Sequence, residues 1–377
     1  MKILIATDSF KGSLTSIQAG QAIAKGIDLA NINATVDFCP VADGGEGTVD
    51  AFLVATKSTR TSVKVTGPLG KPVECVYCRL GDLAVVEMAS CAGLDLVGQN
   101  KNPLVATTFG VGEVILHAIK NGCKKFVIGI GGSATNDGGI GMLQALGFDF
   151  FDKNDNPVAF GANGLKDLCK ISTKNKNPLL DDCEFVVACD VTNPLCGQNG
   201  CSHVYAPQKG ATPQMASEMD LWMQNYAQLT KQATNTDFAD LPGAGAAGGM
   251  GFAFVSFVNA KMQSGAQLIA QVCHLEKRIE QADLVIVGEG KIDNQTLFGK
   301  APHVIAQLAK KHNKKVIAFC GISALQKTPC IDKIFCTCNG TPTANDLQTN
   351  VAFDKLAKLS QFVFENCNTN LLFKDIL

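Results

Sequence analysis

The sequence predicts an α/β protein of two domains, one with a parallel sheet built from both ends of the chain and one of mixed α/β structure inserted between them. Short apolar strands alternate with amphipathic helices at both chain ends, which is typical of βαβ units. Residues 61–88 instead form a series of strands joined by tight turns. A length of 377 residues is enough for two domains. We therefore expect a first domain at residues 1–60 and 280–377, and a second at 61–279.

The loop after the first strand is the first candidate for a binding site. The strand covers residues 2–7, and a helix capped by Ser13 or Thr15 follows at residues 14–29. The loop between them contains an acid, two hydroxyls and a lysine, among them Asp8, Ser9 and Lys11. It follows the carboxyl end of a strand, where open α/β sheets bind ligands. The alternative is a solvated loop with a capping serine.

A second acidic loop follows the strand at residues 34–40 and precedes another helix. It contains Asp43, Gly44 and Glu46. Two carboxylates beside glycines repel an anion unless a cation such as Mg²⁺ lies between them, so this loop indicates metal-bridged phosphate or hydrogen bonding to substrate hydroxyls. The alternative is a helix start that its own acids stabilise.

The central glycine-rich loop lies between an apolar strand at residues 126–130 and a helix at residues 140–146. Glycine permits sharp turns and close approach to a ligand, and backbone N–H groups at a helix start attract anions. We predict an anion site for phosphate or carboxylate, although a plain tight turn is the alternative. Neither the Walker A nor the GxGxxG spacing is present in this loop. The candidate residues are Gly131, Gly132, Ser133, Thr135, Asn136, Asp137 and Gly138.

Polar residues also follow two later strands. Asp190 comes directly after an apolar strand at residues 185–189. The strand at residues 282–287 precedes Glu289, Lys291, Asp293 and Thr296. Because the carboxyl ends of parallel strands bind ligands, both groups are candidates for substrate contacts.

The densest glycine segment, at residues 243–251, lacks the polar residues of a flexible linker. It indicates close backbone packing or approach to a nucleotide.

Composition excludes several classes of partner. The formal net charge is −1, so no attraction to nucleic acid or to anionic lipid is implied. No signal peptide and no apolar run of spanning length are apparent, and we expect a cytoplasmic protein. Most of the 16 cysteines lie singly in apolar segments, which favours buried thiols over zinc sites or disulfides. The expected partner is a small molecule, and the chain is expected to be a monomer or a homodimer.

The repetition of glycine, carboxylate, hydroxyl and lysine after strands favours a group-transfer enzyme for polyanions. Such an enzyme needs N–H groups and lysine for phosphate, carboxylates for Mg²⁺ and one carboxylate to accept a hydroxyl proton. Two alternatives remain open. One is an ATP-independent enzyme acting on a small hydroxy acid, and the other is a non-catalytic sensor of sugar acids.

Six phrases in order, spanning about residues 6–305, resemble the glycerate kinases of the bacterial type: ATDSFKGSLTS, PVADGGEGT, GIGGSATNDGG, ACDVTNPLCG, PGAGAAGGMGF and GEGKIDNQTLFGKAP. The resemblance implies ATP- and Mg²⁺-dependent phosphorylation of D-glycerate on a two-domain α/β fold, whose parallel-sheet domain we expect to be Rossmann- or flavodoxin-like. The usual product in the family is 2-phosphoglycerate, and 3-phosphoglycerate is the alternative. Residues beyond Gly321 carry little of the resemblance.

On this basis we assign provisional roles to the candidate residues, with the site expected in a cleft between the domains. The catalytic residues are Asp190 as base, Lys11 and Asp293. The glycine-rich loop from Gly131 to Gly138 is expected to hold the ATP phosphates, with the substrate carboxylate as the alternative guest. The expected metal ligands are Asp43, Glu46 and Asp293. The expected substrate contacts are Asp8, Ser9, Asp43, Gly44, Glu46, Glu289, Lys291 and Thr296.

Overall fold

A computed structural model of the chain describes residues 1–42, 44–45, 47–297, 299–325 and 328–367. The chain forms two compact units. The first comprises Met1–Asp43, Asp50–Lys57 and Ser264–Leu377, and the second comprises Gly44–Val49 and Ser58–Gln263.

Strands and helices alternate along most of the described chain. The strands are β1 (Lys2–Thr7), β2 (Thr35–Phe38), β3 (Thr59–Thr66), β4 (Pro72–Leu80), β5 (Leu83–Glu87), β6 (Lys125–Gly129), β7 (Asp149–Phe151), β8 (Lys170–Ser172), β9 (Glu184–Ala188), β10 (Lys261–Gln263), β11 (Leu284–Ile292), β12 (Lys315–Ser323) and β13 (Lys333–Cys336). The helices are α1 (Ser16–Leu29), α2 (Thr48–Ala55), α3 (Ala89–Ala92), α4 (Leu94–Val97), α5 (Phe109–Lys120), α6 (Ile140–Ala145), α7 (Ala162–Lys166), α8 (Cys201–Val204), α9 (Pro213–Thr234), α10 (Ala246–Val258), α11 (Gly265–Val272), α12 (Leu275–Gln281), α13 (Asn294–Leu297), α14 (Ala301–Lys311) and α15 (Thr349–Cys367). Two 3-10 helices cover Pro178–Asp182 and Pro207–Lys209.

The first unit contains a parallel sheet whose strands come from both chain ends, in the order β2-β1-β11-β12-β13. Its middle strands are buried on both faces, which explains why they are continuous apolar runs. In chain order within the unit this is the 2-1-3-4-5 arrangement of flavodoxin-like sheets. The predicted α/β class and the parallel sheet built from both chain ends are confirmed. Thr15, rather than Ser13, caps α1, and it forms a capping box with Gln18.

The second unit contains a mixed six-stranded sheet in the order β10-β9-β6-β5-β4-β3. The antiparallel β3, β4 and β5 are the strands predicted from residues 61–88, and β5, β6, β9 and β10 run parallel. The three-residue β10 was not predicted, because such a short segment carries no period. The carboxyl ends of β5, β6 and β9 therefore lie at one edge of this sheet.

Close backbone packing explains two of the glycines in the second unit. A Cβ at Gly129 would lie 2.4 Å from the carbonyl oxygen of Gly44. A Cβ at Gly248, whose φ is +72°, would lie 2.2 Å from the carbonyl oxygen of Thr135. The glycine segment at residues 243–251 thus packs closely against the central loop, as the sequence predicted for its backbone.

We expect Gly248→Ala to lower the free energy of unfolding by about 2 to 5 kcal/mol, since it combines left-handed backbone strain with overpacking. Gly70→Ala is the matched control, because Gly70 has a φ of +77° and no atom within 4 Å of a Cβ placed there. In the control, the free energy of unfolding should fall only by the cost of the left-handed backbone, roughly 1 to 2 kcal/mol. Equal losses in urea unfolding would show that the contact with Thr135 is unimportant.

Candidate active site

A cavity of about 230 Å³ lies in the first unit, beside residues that follow or end β1, β11, β12 and β13. In a sheet of this order, the topological switch point falls between β1 and β11, and ligands bind there. Five of the predicted site residues line the cavity: Asp8, Ser9, Lys11, Glu289 and Lys291. Lys300 and Asp346 complete its charged lining, which therefore holds three acids and three lysines.

Glu289 is the most enclosed carboxylate of this lining, being only 6% exposed. Its Oε1 accepts a hydrogen bond of 2.6 Å from Thr296 Oγ1, and its Oε2 lies 3.6 Å from Lys300 Nζ. Burial raises the pKa of Glu289, while Thr296 and Lys300 act in the opposite direction. Thr296 therefore orients a buried carboxylate, and its hydroxyl is already used as a donor.

Asp293 lies beside the cavity and is held by two donors. Lys291 Nζ is 3.0 Å from its Oδ2, and the backbone N–H of Gln295 donates to its Oδ1 at 2.9 Å. The hydrogen bond from Lys291 is the main cause that lowers the pKa of Asp293. Asp293 is consequently an ionised carboxylate at neutral pH.

The loop after β1 supplies part of the cavity wall. Asp8 is buried, and its Oδ1 accepts a 2.6 Å hydrogen bond from the backbone N–H of Ser9. Lys11 is exposed and lines the same cavity. The registers of β1 and β11 pair Thr7 with Gly288, which brings the residues that follow these two positions side by side.

In the second unit, Asp137 is turned into the protein. It is fully buried, and its carboxylate accepts hydrogen bonds from Thr108 N, Thr108 Oγ1, Gly139 N and Gly141 N at 2.9, 2.8, 3.1 and 3.4 Å. Burial raises the pKa of Asp137, and these donors oppose that rise. Asp137 thus joins the central loop to the start of α5.

The sequence predicts that N–H groups at the start of α6 face a phosphate. In the structure, two of these N–H groups instead donate to side chains of the protein. The N–H of Gly141 donates to Asp137, and the N–H of Met142 donates to Thr108 Oγ1 at 2.9 Å. The helix has six residues. The first half of the loop, from Gly131 to Ser133, is therefore the better candidate for contact with a ligand. The cofactor roles assigned to the loop stay predictions.

Asp190 and Gly44 lie at the edge of the second sheet where β6 and β9 end. Asp190 is exposed, two residues beyond β9. Gly44 is buried, and a Cβ there would lie 2.6 Å from Ala188 Cβ. Asp43 and Glu46 lie outside the described residues.

Glu87 lies at the end of β5, at the same edge of the second sheet as Asp190. It was not selected from the sequence as a candidate. Its two oxygens accept from Gly47 N at 3.1 Å and from Val49 N at 3.3 Å, and it thereby caps the start of α2. An acid directly after an apolar strand was the available signal, the same one that identified Asp190.

No group of three or more His, Cys, Asp or Glu side chains suited to a metal ion is found in the part of the chain that the structure describes. Two of the three predicted metal ligands lie outside that part. Within the same ranges, every helix is too short or too polar to traverse a bilayer.

Comparison with known proteins identifies the family of the chain. The family model described as "Glycerate kinase family" matches residues 3–366. The chain belongs to the glycerate kinase family. It is 47% identical over 324 residues to the glycerate 2-kinase of Escherichia coli K12 and 44% identical over 322 residues to the glycerate kinase of Halalkalibacterium halodurans, with 85% of each chain covered in both comparisons.

A solved structure supports the same assignment. The crystal structure of a protein described as a glycerate kinase 2 from Salmonella typhimurium LT2 superposes with a TM-score of 0.87 at 41% identity, and the match covers 98% of this chain and 99% of that one. As a member of the glycerate kinase family, the chain is an enzyme, a phosphotransferase. The non-catalytic sensor of sugar acids is therefore set aside, and the dependence on ATP stays a prediction.

The predicted residues thus form two groups. Asp8, Ser9, Lys11, Glu289 and Lys291 meet at the cavity of the first unit, where Asp293 and Thr296 contact members of the group. The central loop, Gly44 and Asp190 lie at one edge of the second sheet. The expected cleft between domains stays a prediction. Lys300 was missed, although it stands in the same motif as Lys291 and precedes a helix start.

Proposed function

We propose that this member of the glycerate kinase family transfers the terminal phosphoryl group of ATP to D-glycerate and forms 2-phospho-D-glycerate, with 3-phospho-D-glycerate as the alternative product. The observation that supports this most directly is the cavity at the switch point of the first sheet, which is lined by three acids and three lysines. A cytoplasmic location, as expected from the sequence, is part of the same proposal.

The lining suits a small carboxylic acid with two hydroxyls. Lys11, Lys291 and Lys300 line the cavity and are the proposed partners of the substrate carboxylate or the arriving phosphoryl group. Asp8 and Glu289 are buried acceptors for hydroxyl groups. A volume of about 230 Å³ favours a compact acid over a long chain. Asp190 remains the proposed base.

Among the described residues, Asp293 has the donor chemistry that a magnesium-bound nucleotide requires. Mg²⁺ prefers carboxylate oxygens, and Asp293 offers an ionised one beside the cavity. Asp43 and Glu46 are the other proposed ligands. When bound, Mg²⁺ neutralises phosphate charge. The chain itself positions the acceptor hydroxyl and surrounds the transferred group with lysine.

The test is ADP release by the purified chain with Mg-ATP and D-glycerate. We expect ADP formation to require both Mg²⁺ and D-glycerate, and to be absent with glycerol, which lacks the carboxylate. An equal rate without any acceptor would indicate an ATPase and would contradict the proposal.

Lys11→Ala is expected to lower kcat by about 100- to 1,000-fold, since it removes one preorganised charge from the site of transfer. The matched control is Lys277→Ala, an exposed lysine of α12 in the same unit. Steady-state kinetics with both variants measure the effect. A kcat within twofold of the control would remove Lys11 from the phosphoryl-transfer site.

A further inference from the structure

Lys209 is a buried lysine of the second unit to which neither the sequence analysis nor the proposed function gives a role. It ends the 3-10 helix Pro207–Lys209 and is 1% exposed. Its Nζ donates to Ser133 Oγ at 2.8 Å and to the backbone carbonyl of Thr135 at 2.5 Å. Both acceptors belong to the central loop, so this lysine supports the loop from within the protein.

Within the described part of the chain, the charge of Lys209 has no close counterion. It forms no ion pair with a carboxylate among the described residues. The charged and titratable groups that act on it are Cys201 and Asp137, and the oxygens of Asp137 already accept from Thr108, Gly139 and Gly141. Burial lowers the pKa of Lys209 to about 8, whereas burial raises the pKa of Cys201 to about 11. The charge on the lysine therefore changes within an accessible pH range in which the thiol stays neutral.

The contact with Lys209 determines how Ser133 uses its hydroxyl. An ammonium group only donates, so Ser133 Oγ must be the acceptor. The hydroxyl proton of Ser133 then remains available, and no described residue accepts it. Ser133 follows Gly132, which is exposed with a φ of +74°. The serine thus stands in the half of the loop whose N–H groups are not used by Asp137.

We propose that Lys209 is a positioning residue that orients Ser133 to donate its hydroxyl proton to an anionic oxygen bound at Gly131–Ser133. The ammonium fixes the acceptor side of the hydroxyl and polarises its O–H bond. The ligand chemistry is a phosphate or carboxylate oxygen, supplied by ATP or by D-glycerate. This inference rests on the proposed function, because only a substrate that carries such an oxygen would use the donor.

A double-mutant cycle tests the inference. Lys209→Met, Ser133→Ala and the double variant are compared with the wild type in KM and kcat for each substrate. We expect both single variants to raise the same KM by about 10-fold, consistent with the loss of one charge-assisted hydrogen bond. A raised KM for ATP identifies phosphate as the guest, and a raised KM for D-glycerate identifies the carboxylate.

The double variant should be no worse than Ser133→Ala, because Lys209 acts through the serine. Additive losses would overturn the inference, since a purely structural lysine would act independently of Ser133. Lys170→Met, an exposed lysine of the same unit that pairs with Asp155, is the control for loss of a lysine. It should leave both KM values unchanged.

Dependence on pH provides a test that does not require Lys209→Met to fold. Wild-type affinity should weaken as the pH rises above about 8, where Lys209 loses its proton, and Ser133→Ala should lack this change. Calorimetric titration with ATP and with D-glycerate separately measures the affinity for each, even if no product forms. Failure of the proposed function can therefore be distinguished from failure of this inference. Identical pH dependence in the wild type and Ser133→Ala would overturn the inference.

Discussion

Asp190→Asn is expected to lower kcat by about 10²- to 10⁴-fold while leaving the fold intact. The reason is that a positioned general base contributes about this factor, and the amide cannot accept the hydroxyl proton. Asp190 is exposed just after β9, at the sheet edge that also carries the central loop. Initial rates with saturating Mg-ATP and D-glycerate measure the loss.

The control for this substitution is Asp167→Asn, which changes an exposed aspartate of the same unit. Its kcat should stay within twofold of the wild type. Circular dichroism and urea unfolding should show that both variants are folded. A near wild-type kcat for folded Asp190→Asn would show that another group accepts the proton, and buried Glu289 would become the next candidate.

Asp137→Ala is expected to lower the free energy of unfolding by about 3 to 5 kcal/mol, because several buried donors lose their only strong acceptor. The donors are Thr108 N, Thr108 Oγ1, Gly139 N and Gly141 N. Urea unfolding followed by circular dichroism measures the change. Asp137→Asn should lose less, since one oxygen remains to accept.

Asp95→Ala, an exposed aspartate of α4 in the same unit, serves as the control and should change stability by less than about 1 kcal/mol. If Asp137→Ala unfolded at the same urea concentration as this control, the buried carboxylate would not be the link between the central loop and α5. The main role of Asp137 would then be a contact with a ligand.

The sequence was sufficient for the elements with strong local signals. The apolar runs of β1 and β11 and the antiparallel β3 to β5 carry clear periods and turn residues, so their existence follows from local chemistry. The strand order β2-β1-β11-β12-β13 does not, because it depends on pairing between residues 281 positions apart, such as Ile3 and Leu284. The βαβ rhythm at both chain ends predicted that they share one sheet, but it did not predict the order of the strands.

The direction in which a polar side chain points was harder to predict than its position. Asp137 and Ser133 stand four residues apart in the same loop. The carboxylate of Asp137 accepts hydrogen bonds at the start of α6, whereas Ser133 retains an unused hydroxyl proton. Lys209 and Glu87 contact their partners across 76 and 40 residues, respectively. No local pattern encodes such contacts. Composition predicted an anion site in the loop, and only the fold shows which of the loop's polar groups are already used in internal hydrogen bonds.

The most direct test of the central claim is ³¹P NMR of the purified chain with Mg-ATP and D-glycerate. We expect the ATP resonances to be replaced by those of ADP and a new phosphomonoester that coincides with added 2-phospho-D-glycerate. Coincidence with 3-phospho-D-glycerate would retain the kinase and change its product. If a folded protein left ATP intact, or released only inorganic phosphate, phosphoryl transfer to D-glycerate would be contradicted.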